Sequence, residues 1–274
     1  MRGTVVVVTG ASSGIGAAGA RELADRGATL AVVGRNERRT RDVALECGPQ
    51  ATPFIADFAS LASVQALGNS LLSAYPRIDV LVNNAGFIAG RFERTVDGIE
   101  STMAVNHVAT FLLTRLLEDR LRANRGSRVI TTSSVAHASS HLHVEDFDGE
   151  FNWRAFRAYS RSKLANVLFT RELAVRWPGV AANCFHPGVV DSGFGDSNPM
   201  LKFFMPVVRL GLIGPEKGAR TMVQLASAPE GGTVTGEYWV RGKVSKTSAQ
   251  GNDMALAKRL WERTEEMVAA FINH

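Results

Sequence analysis

Short apolar stretches alternate with longer amphipathic ones along almost the whole chain. The apolar stretches are rich in β-branched residues, which favours strands that are covered on both faces of a sheet. They predict seven strands, at residues 4–9, 29–34, 53–56, 78–83, 127–133, 180–185 and 234–240. The intervening segments predict helices at about 14–26, 60–74, 97–120, 159–176 and 215–228.

Alternation of this kind predicts an α/β fold with a doubly wound, mostly parallel seven-stranded sheet and helices on both faces. No linker, repeat or low-complexity tract divides the 274 residues, so we expect a single domain over 1–274. In such sheets, ligands bind beyond the carboxyl ends of the strands. Polar or glycine-rich segments at 9–16, 83–86, 134 and 187–188 all follow predicted strands. We therefore expect them to converge at one edge of the sheet.

The first predicted strand runs directly into a glycine-rich turn, Thr9-Gly10-Ala11-Ser12-Ser13-Gly14-Ile15-Gly16. Glycines allow a sharp turn and a close backbone approach to a pyrophosphate, and the following helix N-terminus attracts the phosphates. The strand-turn-helix context favours a nucleotide site over a purely structural turn. The residues predicted to bind the dinucleotide here are Gly10, Ser12, Ser13, Gly14, Ile15 and Gly16.

Tyr159 and Lys163 stand four residues apart, so a helix would place both side chains on one face. A phenol with an unperturbed pKa of about 10 is a poor acid–base catalyst at neutral pH. A neighbouring ammonium group favours the phenolate, so Lys163 is expected to lower the pKa of Tyr159. Taken alone the pair is weak evidence, because this spacing often arises by chance on helix surfaces. The nucleotide loop upstream is what favours a catalytic interpretation.

Five motifs occur in the order that is typical of the short-chain dehydrogenase/reductase family, which the chain resembles from about residue 4 to about residue 265. The motifs are Thr9-Gly10-x-x-x-Gly14-Ile15-Gly16, Asn83-Asn84-Ala85-Gly86, Ser133-Ser134, Tyr159-x-x-x-Lys163 and Pro187-Gly188. The run from Tyr159 to Leu173 looks most like the retinol-dehydrogenase-like and protochlorophyllide-reductase-like branch. His186-Pro187-Gly188-Val189-Val190, Gly236-Glu237-Tyr238-Trp239 and Leu260-Trp261 point the same way. The resemblance implies a Rossmann fold and hydride transfer with a nicotinamide cofactor.

The resemblance also implies catalytic roles for four residues. Tyr159 would exchange a proton with a carbonyl or alcohol oxygen, and Lys163 would also hydrogen-bond the nicotinamide ribose. Ser134, which precedes a small-residue stretch as in the family, would position the substrate oxygen and stabilise developing charge. Asn106 matches the asparagine with which the family holds a water against the lysine. The 25-residue separation of Ser134 and Tyr159 is longer than the commonest family pattern but familiar in this branch.

The second predicted strand ends in Gly34-Arg35-Asn36, without the acid that normally binds the ribose 2′-hydroxyl of NAD. An arginine there can pair with a 2′-phosphate and stack on adenine, so NADP(H) is predicted at Arg35 and Asn36. NAD(H) is the less favoured alternative, as is an arginine that is merely a surface residue. By resemblance, the remaining cofactor contacts are Asp57 and Phe58 at the adenine, Asn83, Ala85 and Gly86 near the adjacent ribose, and Pro187, Gly188, Val190 and Ser192.

Substrate contacts are predicted from Ser134, Tyr159 and His137, with His137 lining the mouth of the site. The nearby His141, His143, Glu145 and Asp146 lack a metal-ligand spacing, so no metal is predicted. By resemblance, the segment at about 190–215 would be a substrate lid. Its Met- and Phe-rich sequence favours a bulky hydrophobic substrate, and a core helix or an oligomer contact is the alternative.

Charge and cysteine content exclude some other classes of protein. The net charge is +5, but the arginines are scattered apart from one group at 35–41, so nucleic-acid binding is not expected. Cys47 and Cys184 lack metal-ligand spacing and suit a reducing compartment. No segment is predicted to span a membrane or to act as a signal peptide, and a cytoplasmic location is expected. Family habit predicts a homodimer or homotetramer that pairs through the helices at 100–120 and 159–176.

These features together predict an NADP(H)-dependent oxidoreductase that interconverts an alcohol and a carbonyl on a bulky hydrophobic substrate, with Tyr159 as the acid–base group. Reduction of an activated carbon–carbon double bond is the first alternative, since the protochlorophyllide-reductase likeness allows it. A protein that senses NADP(H) without turnover is the second. The presence of both Tyr159 and Lys163 argues against sensing alone.

Overall fold

The computed structural model describes residues 1–188 and 213–272 and follows the predicted alternation of strands and helices. The strands are β1 (Val5–Val8), β2 (Thr29–Gly34), β3 (Ala51–Ile55), β4 (Val80–Asn83), β5 (Arg128–Thr132), β6 (Ala181–His186), β7 (Glu237–Val240) and β8 (Lys243–Val244). The first helices are α1 (Gly14–Asp25), α2 (Glu37–Glu46), α3 (Leu61–Ala74) and α4, which joins Ser101–Met103, a π-helical turn Ala104–Val108 and Ala109–Leu116. The others are α5 (Glu118–Arg122), α6 (Ala155–Arg176), α7 (Pro215–Ser227), α8 (Glu230–Thr233) and α9 (Met254–Ile272).

A single sheet has the strand order β3-β2-β1-β4-β5-β6-β7-β8. All neighbouring strands are parallel except β7 and β8, which are antiparallel. The doubly wound, mostly parallel Rossmann fold is therefore confirmed. The sheet has eight strands rather than the predicted seven, because the chain turns back at Arg241 and Gly242, both with positive φ. A two-residue return strand is too short to give a periodic signal in the sequence.

The predicted set of helices needs three corrections: two helices were not predicted, and one has different bounds. The helix α2 was not predicted because it is rich in charge and buries only Thr40, Val43 and Ala44. The C-terminal helix α9 was also missed, although it buries a stripe that includes Leu256, Leu260 and Trp261. The helix expected at 97–120 begins only at Ser101, contains the π-helical turn and ends at Leu116.

Two hydrophobic clusters cover the two faces of the sheet. One cluster combines α3, α4, α6 and α9, and the other combines α1, α2 and α7. In the first cluster, the Trp261 ring lies 4.7 Å from the Phe111 ring centroid and stacks 5.9 Å from Phe169. The helix α9 therefore packs on α4 and α6, the two helices expected to pair between subunits. That pairing stays a prediction. Among the described residues, no helix combines the length and the apolar character needed to cross a membrane.

Candidate active site

The glycine turn after β1 forms a floor that has no room for side chains. Gly10 and Gly14 have φ values of +63° and +55°, which other residues rarely adopt. A Cβ on Gly10 would lie 2.7 Å from the Ala85 Cα, and one on Gly16 would lie 2.4 Å from the Gly10 carbonyl oxygen. Ser13 begins the twelve-residue helix α1 without a side-chain capping bond. The positive N-terminal end of α1 therefore remains suited to an anion such as a phosphate.

A cleft of about 640 Å³ runs along the carboxyl edge of the sheet from this turn. Sixteen of the predicted site residues line it: Gly10, Ser12, Ser13, Gly14, Ile15, Gly16, Arg35, Asn36, Asp57, Phe58, Ala85, Gly86, Tyr159, Lys163, Pro187 and Gly188. The predicted residues Asn83, Asn106, Ser134 and His137 are not among its lining residues. Val190 and Ser192 lie outside the described residues, as does the proposed lid except for residues 213–215.

Asn83 and Asn84 point in different directions. The buried Asn83 side chain donates a hydrogen bond from Nδ2 to Thr114 Oγ1 at 3.0 Å, so it faces α4 rather than the cleft. Asn84 lines the cleft and donates from Nδ2 to the carbonyl oxygens of Thr9 at 3.0 Å and Gly10 at 3.3 Å. Neighbouring residues at a strand end alternate in direction, so a doubled asparagine motif does not reveal which one reaches the site.

At the far end of the cleft, the chain leaves β2 through an arginine-rich turn. Arg35, Asn36 and Arg39 all line the cleft. Neither Arg35 nor Arg39 forms an ion pair with another described residue. In α2, the acidic Glu37 pairs instead with Arg41, at 2.9 Å. Asn36 Oδ1 accepts a hydrogen bond from the Arg39 backbone N–H at 3.0 Å and caps α2. Arg39 was missed because it lies one helical turn after Arg35 on a helix that was not predicted.

Tyr159, Lys163 and Ser134 meet at the other end of the cleft. Lys163 Nζ lies 5.5 Å from the Tyr159 ring centroid and donates a hydrogen bond to the Thr132 carbonyl oxygen at 3.1 Å. The Tyr159 hydroxyl is hydrogen-bonded to the Ser134 side chain. Because β5 ends at Thr132, the strand itself holds the carbonyl that orients the lysine.

Burial is the main cause of the pKa shifts of Tyr159 and Lys163. It raises the pKa of Tyr159 to about 12, while the Ser134 hydrogen bond acts in the opposite direction. It also lowers the pKa of Lys163 to about 8, because the buried ammonium has lost most of its hydration. The lowered Tyr159 pKa that the sequence suggested is therefore not found in this structure. Desolvation of the phenolate outweighs the Ser134 hydrogen bond.

Asn106 lies in the π-helical turn and holds the loop after β4. Its Oδ1 accepts from the Phe87 N–H at 2.8 Å, and its Nδ2 donates to the Phe87 carbonyl at 3.0 Å and to Ser162 Oγ at 2.9 Å. Its own carbonyl oxygen accepts a hydrogen bond from Asn166 Nδ2 at 3.0 Å. Asn166 was not identified from the sequence, although it follows Lys163 by three residues and so lies on an adjacent part of the helix surface.

His137 is buried behind Ser134 and uses both ring nitrogens on backbone groups. Nδ1 lies 2.7 Å from the Ser134 carbonyl oxygen, and Nε2 accepts from the Ser248 N–H at 3.2 Å. Its ring packs edge-on against Tyr238 at 4.8 Å. His137 therefore supports the Ser134 turn, and its contact with a substrate stays a prediction. Within residues 1–188 and 213–272, no group of three histidine, cysteine, aspartate or glutamate side chains is arranged to hold a metal ion.

The sequence motifs and this geometry together identify the family of proteins to which the chain belongs. The family model described as "short chain dehydrogenase" matches residues 4–199. The chain belongs to the short-chain dehydrogenase/reductase family, a family of oxidoreductases, and to its retinol-dehydrogenase-like branch. It is 40% identical over 273 residues to a protein of Streptomyces sp. (strain C5) provisionally named daunorubicin C-13 ketoreductase DnrU, covering 97% of this chain and 93% of that one. It is 36% identical to human retinol dehydrogenase 14, covering 98% of this chain and 87% of the relative.

Solved structures show the same fold. An uncharacterized protein from Mycobacterium paratuberculosis superposes with a TM-score of 0.80 at 31% identity, covering 98% of this chain and 94% of that one. A short chain dehydrogenase from Burkholderia cenocepacia J2315 in complex with NADP gives a TM-score of 0.71 at 26% identity, with coverage of 87% and 96%. A Brucella melitensis 3-ketoacyl-(acyl-carrier-protein) reductase complexed with NADH gives 0.69 at 25% identity, with coverage of 88% and 99%. Related folds therefore carry either nicotinamide cofactor.

Proposed function

We propose that this protein is an NADP(H)-dependent oxidoreductase that interconverts a carbonyl and an alcohol, with Tyr159 as the acid–base group. One observation carries the proposal. The Tyr159 and Ser134 hydroxyls and the Lys163 amine are brought together at one end of a cleft whose other end carries Arg35 and Arg39. Proton-transfer groups at one end and cationic groups at the other suit a dinucleotide that spans the cleft.

The residues present fit such a cofactor. The Gly10 and Gly16 surfaces, which a Cβ would fill, leave room for a pyrophosphate at the N-terminus of α1. Arg35 and Arg39 would hold a ribose 2′-phosphate, and no acid stands at 34–36 to favour the free 2′-hydroxyl of NAD. When bound, NADP(H) supplies or accepts the hydride.

The chain's own groups would handle the proton and the charge. With its pKa raised to about 12, Tyr159 is protonated at neutral pH, which is the form needed to donate a proton to a carbonyl oxygen. The Ser134 hydroxyl would donate a second hydrogen bond to that oxygen as negative charge develops. Lys163, held on the Thr132 carbonyl, would stabilise the phenolate that remains after transfer. In the oxidative direction, the same phenolate would take the proton of an alcohol.

The proposed substrate is a bulky hydrophobic alcohol or carbonyl compound. The names of the two relatives refer to daunorubicin and to retinol. Phe87 and Val105 line the described part of the cleft next to Gly86, and they add apolar surface there. This wall favours an apolar substrate body, with the polar Tyr159 and Ser134 fixing its reactive oxygen.

The test is a panel of aldehydes, ketones and enones assayed with NADPH and with NADH by cofactor absorbance. We expect reduction of apolar ketones or aldehydes with a higher kcat/KM for NADPH. A clearly higher kcat/KM with NADH would overturn the cofactor assignment. Product analysis that finds a saturated carbon–carbon bond and an intact carbonyl would overturn the reaction assignment. Tight NADPH binding without turnover of any panel member would favour a sensing protein.

A further inference from the structure

A buried polar chain behind the catalytic group is not used by the mechanism above. Its centre is His107, which is 1% exposed and lies in the π-helical turn of α4. The rings of Phe111, Phe147 and Phe169 surround it at centroid distances of 6.5, 6.3 and 6.1 Å. Its Nδ1 lies 3.3 Å from Asn166 Oδ1, and its Nε2 lies 3.1 Å from Thr264 Oγ1 in α9. One imidazole thus joins two residues that are distant from it in sequence: Asn166 in α6, 59 residues away, and Thr264 in α9, 157 residues away.

The direction of each hydrogen bond in this chain can be assigned. Asn166 Nδ2 lies 3.0 Å from the Asn106 carbonyl oxygen and 3.1 Å from the Thr132 carbonyl oxygen. Carbonyl oxygens only accept, so the amide NH₂ must face them and Asn166 Oδ1 must face His107. Because Oδ1 also only accepts, His107 Nδ1 must carry a proton.

The other ring nitrogen then follows. Burial lowers the pKa of His107 to about 4, so the ring is neutral at pH 7 and carries one proton. With that proton on Nδ1, Nε2 is an acceptor, and the Thr264 hydroxyl must donate to it. The same hydroxyl oxygen lies 2.8 Å from the Leu260 carbonyl oxygen, so its proton is shared between the helix and the histidine.

These hydrogen bonds end beside the catalytic group, because the Thr132 carbonyl oxygen also accepts from Lys163 Nζ at 3.1 Å. We infer that His107, as the neutral Nδ1–H tautomer, is a positioning residue that fixes Asn166 against the Thr132 carbonyl and thereby couples the C-terminal helix α9 to Lys163. The effect on turnover rests on the proposed function. The tautomer and the coupling do not, since both are properties of the folded chain.

The tautomer is tested first, by two-bond ¹H–¹⁵N correlation spectra of the ¹⁵N-labelled wild-type protein at pH 7. We expect the pattern of a proton on His107 Nδ1, with Nε2 unprotonated. A proton on Nε2, or on both nitrogens, would overturn the inference whatever the enzyme's activity.

The coupling is tested with a matched pair of variants at Thr264, which lies at the α9 end of this series of hydrogen bonds. Thr264→Val removes the donor to Nε2 at nearly constant volume, and Thr264→Ser keeps it. We expect the Lys163 Nζ resonance to shift in Thr264→Val and to stay at the wild-type position in Thr264→Ser. An identical Lys163 resonance in both variants would overturn the coupling of α9 to Lys163.

Turnover is tested at His107 itself. His107→Phe removes both polar atoms, and we expect kcat to fall about tenfold, since small displacements of catalytic groups cost this much or more, with KM for the carbonyl substrate changed by less than about twofold. His107→Asn keeps a donor toward Asn166 and should recover most of that loss. Equal loss in both variants, or none in either, would overturn the positioning role. A wild-type protein with no carbonyl turnover would instead count against the proposed function, and the two NMR tests would still decide this inference.

Discussion

The two ends of the cleft are built in opposite ways. The nucleotide end consists of backbone and exposed side chains: glycines with no space for a Cβ, the start of α1, and two arginines that face solvent. The catalytic end consists of side chains, with Lys163 almost fully buried and hydrogen-bonded through Nζ to the Thr132 carbonyl oxygen of β5. The structure of the nucleotide end is determined by where the backbone can turn. That of the catalytic end is determined by which buried polar groups find hydrogen-bond partners.

This difference separates the effects that substitutions should have. The arginines at the nucleotide end are exposed, so their replacement should change cofactor affinity and choice while leaving the fold intact. Groups at the catalytic end are buried and coupled, so their replacement should change turnover, titration and stability together. Each of the following experiments breaks or sharpens this distinction.

The largest expected effect is that of Tyr159→Phe. The substitution keeps the ring and removes the only proton that the proposed mechanism transfers to the substrate oxygen. General acid–base groups contribute about 10²- to 10⁴-fold, so kcat should fall by roughly 10³-fold. Steady-state kinetics with NADPH, together with a fluorescence titration of NADPH, would measure turnover and affinity separately. The NADPH dissociation constant should change by less than about twofold.

Tyr75→Phe is the matched control for this variant. Tyr75 is also buried, but its hydroxyl reaches the Leu30 carbonyl oxygen at 3.4 Å, beneath the sheet and away from the cleft. Its kcat should stay at the wild-type value. Wild-type turnover in Tyr159→Phe would remove Tyr159 from the mechanism and with it the proposed reaction.

The second effect is a pH dependence of stability that belongs to Lys163. Its folded pKa of about 8 lies below its ordinary value of 10.5. Below about pH 8 the lysine is charged in both states, and its burial cost is complete. Between pH 8 and 10.5 the unfolded chain binds more protons than the folded chain, so the free energy of unfolding rises with pH. This contribution amounts to roughly 2 kcal/mol between pH 8 and pH 10.

Lys163→Met should remove this contribution, because methionine does not titrate. The raised pKa values of Cys47 and Cys184 lower stability over the same pH range, but equally in all variants, so the result is the difference in slope from wild type. Denaturant unfolding at pH 8, 9 and 10 measures it, and the window stops at pH 10 because Tyr159, whose folded pKa is raised, lowers stability at higher pH. The exposed Lys217 provides the control, since Lys217→Met should leave the wild-type slope unchanged. Parallel slopes for all three proteins would mean that Lys163 is not desolvated in the folded state.

The two ends also differ in how far the sequence predicts them. The strands and the glycine turn follow from local patterns, since strand periodicity and glycine content are properties of adjacent residues. The side chains that were missed, such as Asn84, Arg39 and Asn166, depend on the direction in which a side chain leaves its element. That direction depends on tertiary packing, and no local pattern records it. The Tyr159 pKa was misjudged for the same reason, because burial is set by the whole fold.

The third effect concerns cofactor choice at the exposed end. Arg35→Ser removes a cation from the proposed 2′-phosphate site, and we expect kcat/KM for NADPH to fall about tenfold while that for NADH changes little. Arg38→Ser is the control, because Arg38 is also exposed, at the start of α2, but does not line the cleft. An equal fall with both cofactors would show that Arg35 binds a part that the two share. The free energy of unfolding should stay within about 0.5 kcal/mol of wild type.

The smallest effect tests whether Asn83, at the end of β4, packs in the fold or contacts the cofactor. Thr114 Oγ1 accepts from Asn83 Nδ2 at 3.0 Å and donates to the Thr110 carbonyl oxygen at 2.8 Å. Thr114→Val leaves the Asn83 donor buried without that partner, which should lower the free energy of unfolding by about 1 kcal/mol. Thr114→Ser keeps the hydroxyl and should retain the bond. If Asn83 is a packing residue, the NADPH dissociation constant stays constant in both variants. A weaker NADPH affinity in Thr114→Val alone would return Asn83 to the cofactor site, because its orientation would then matter to the ligand as well as to the fold.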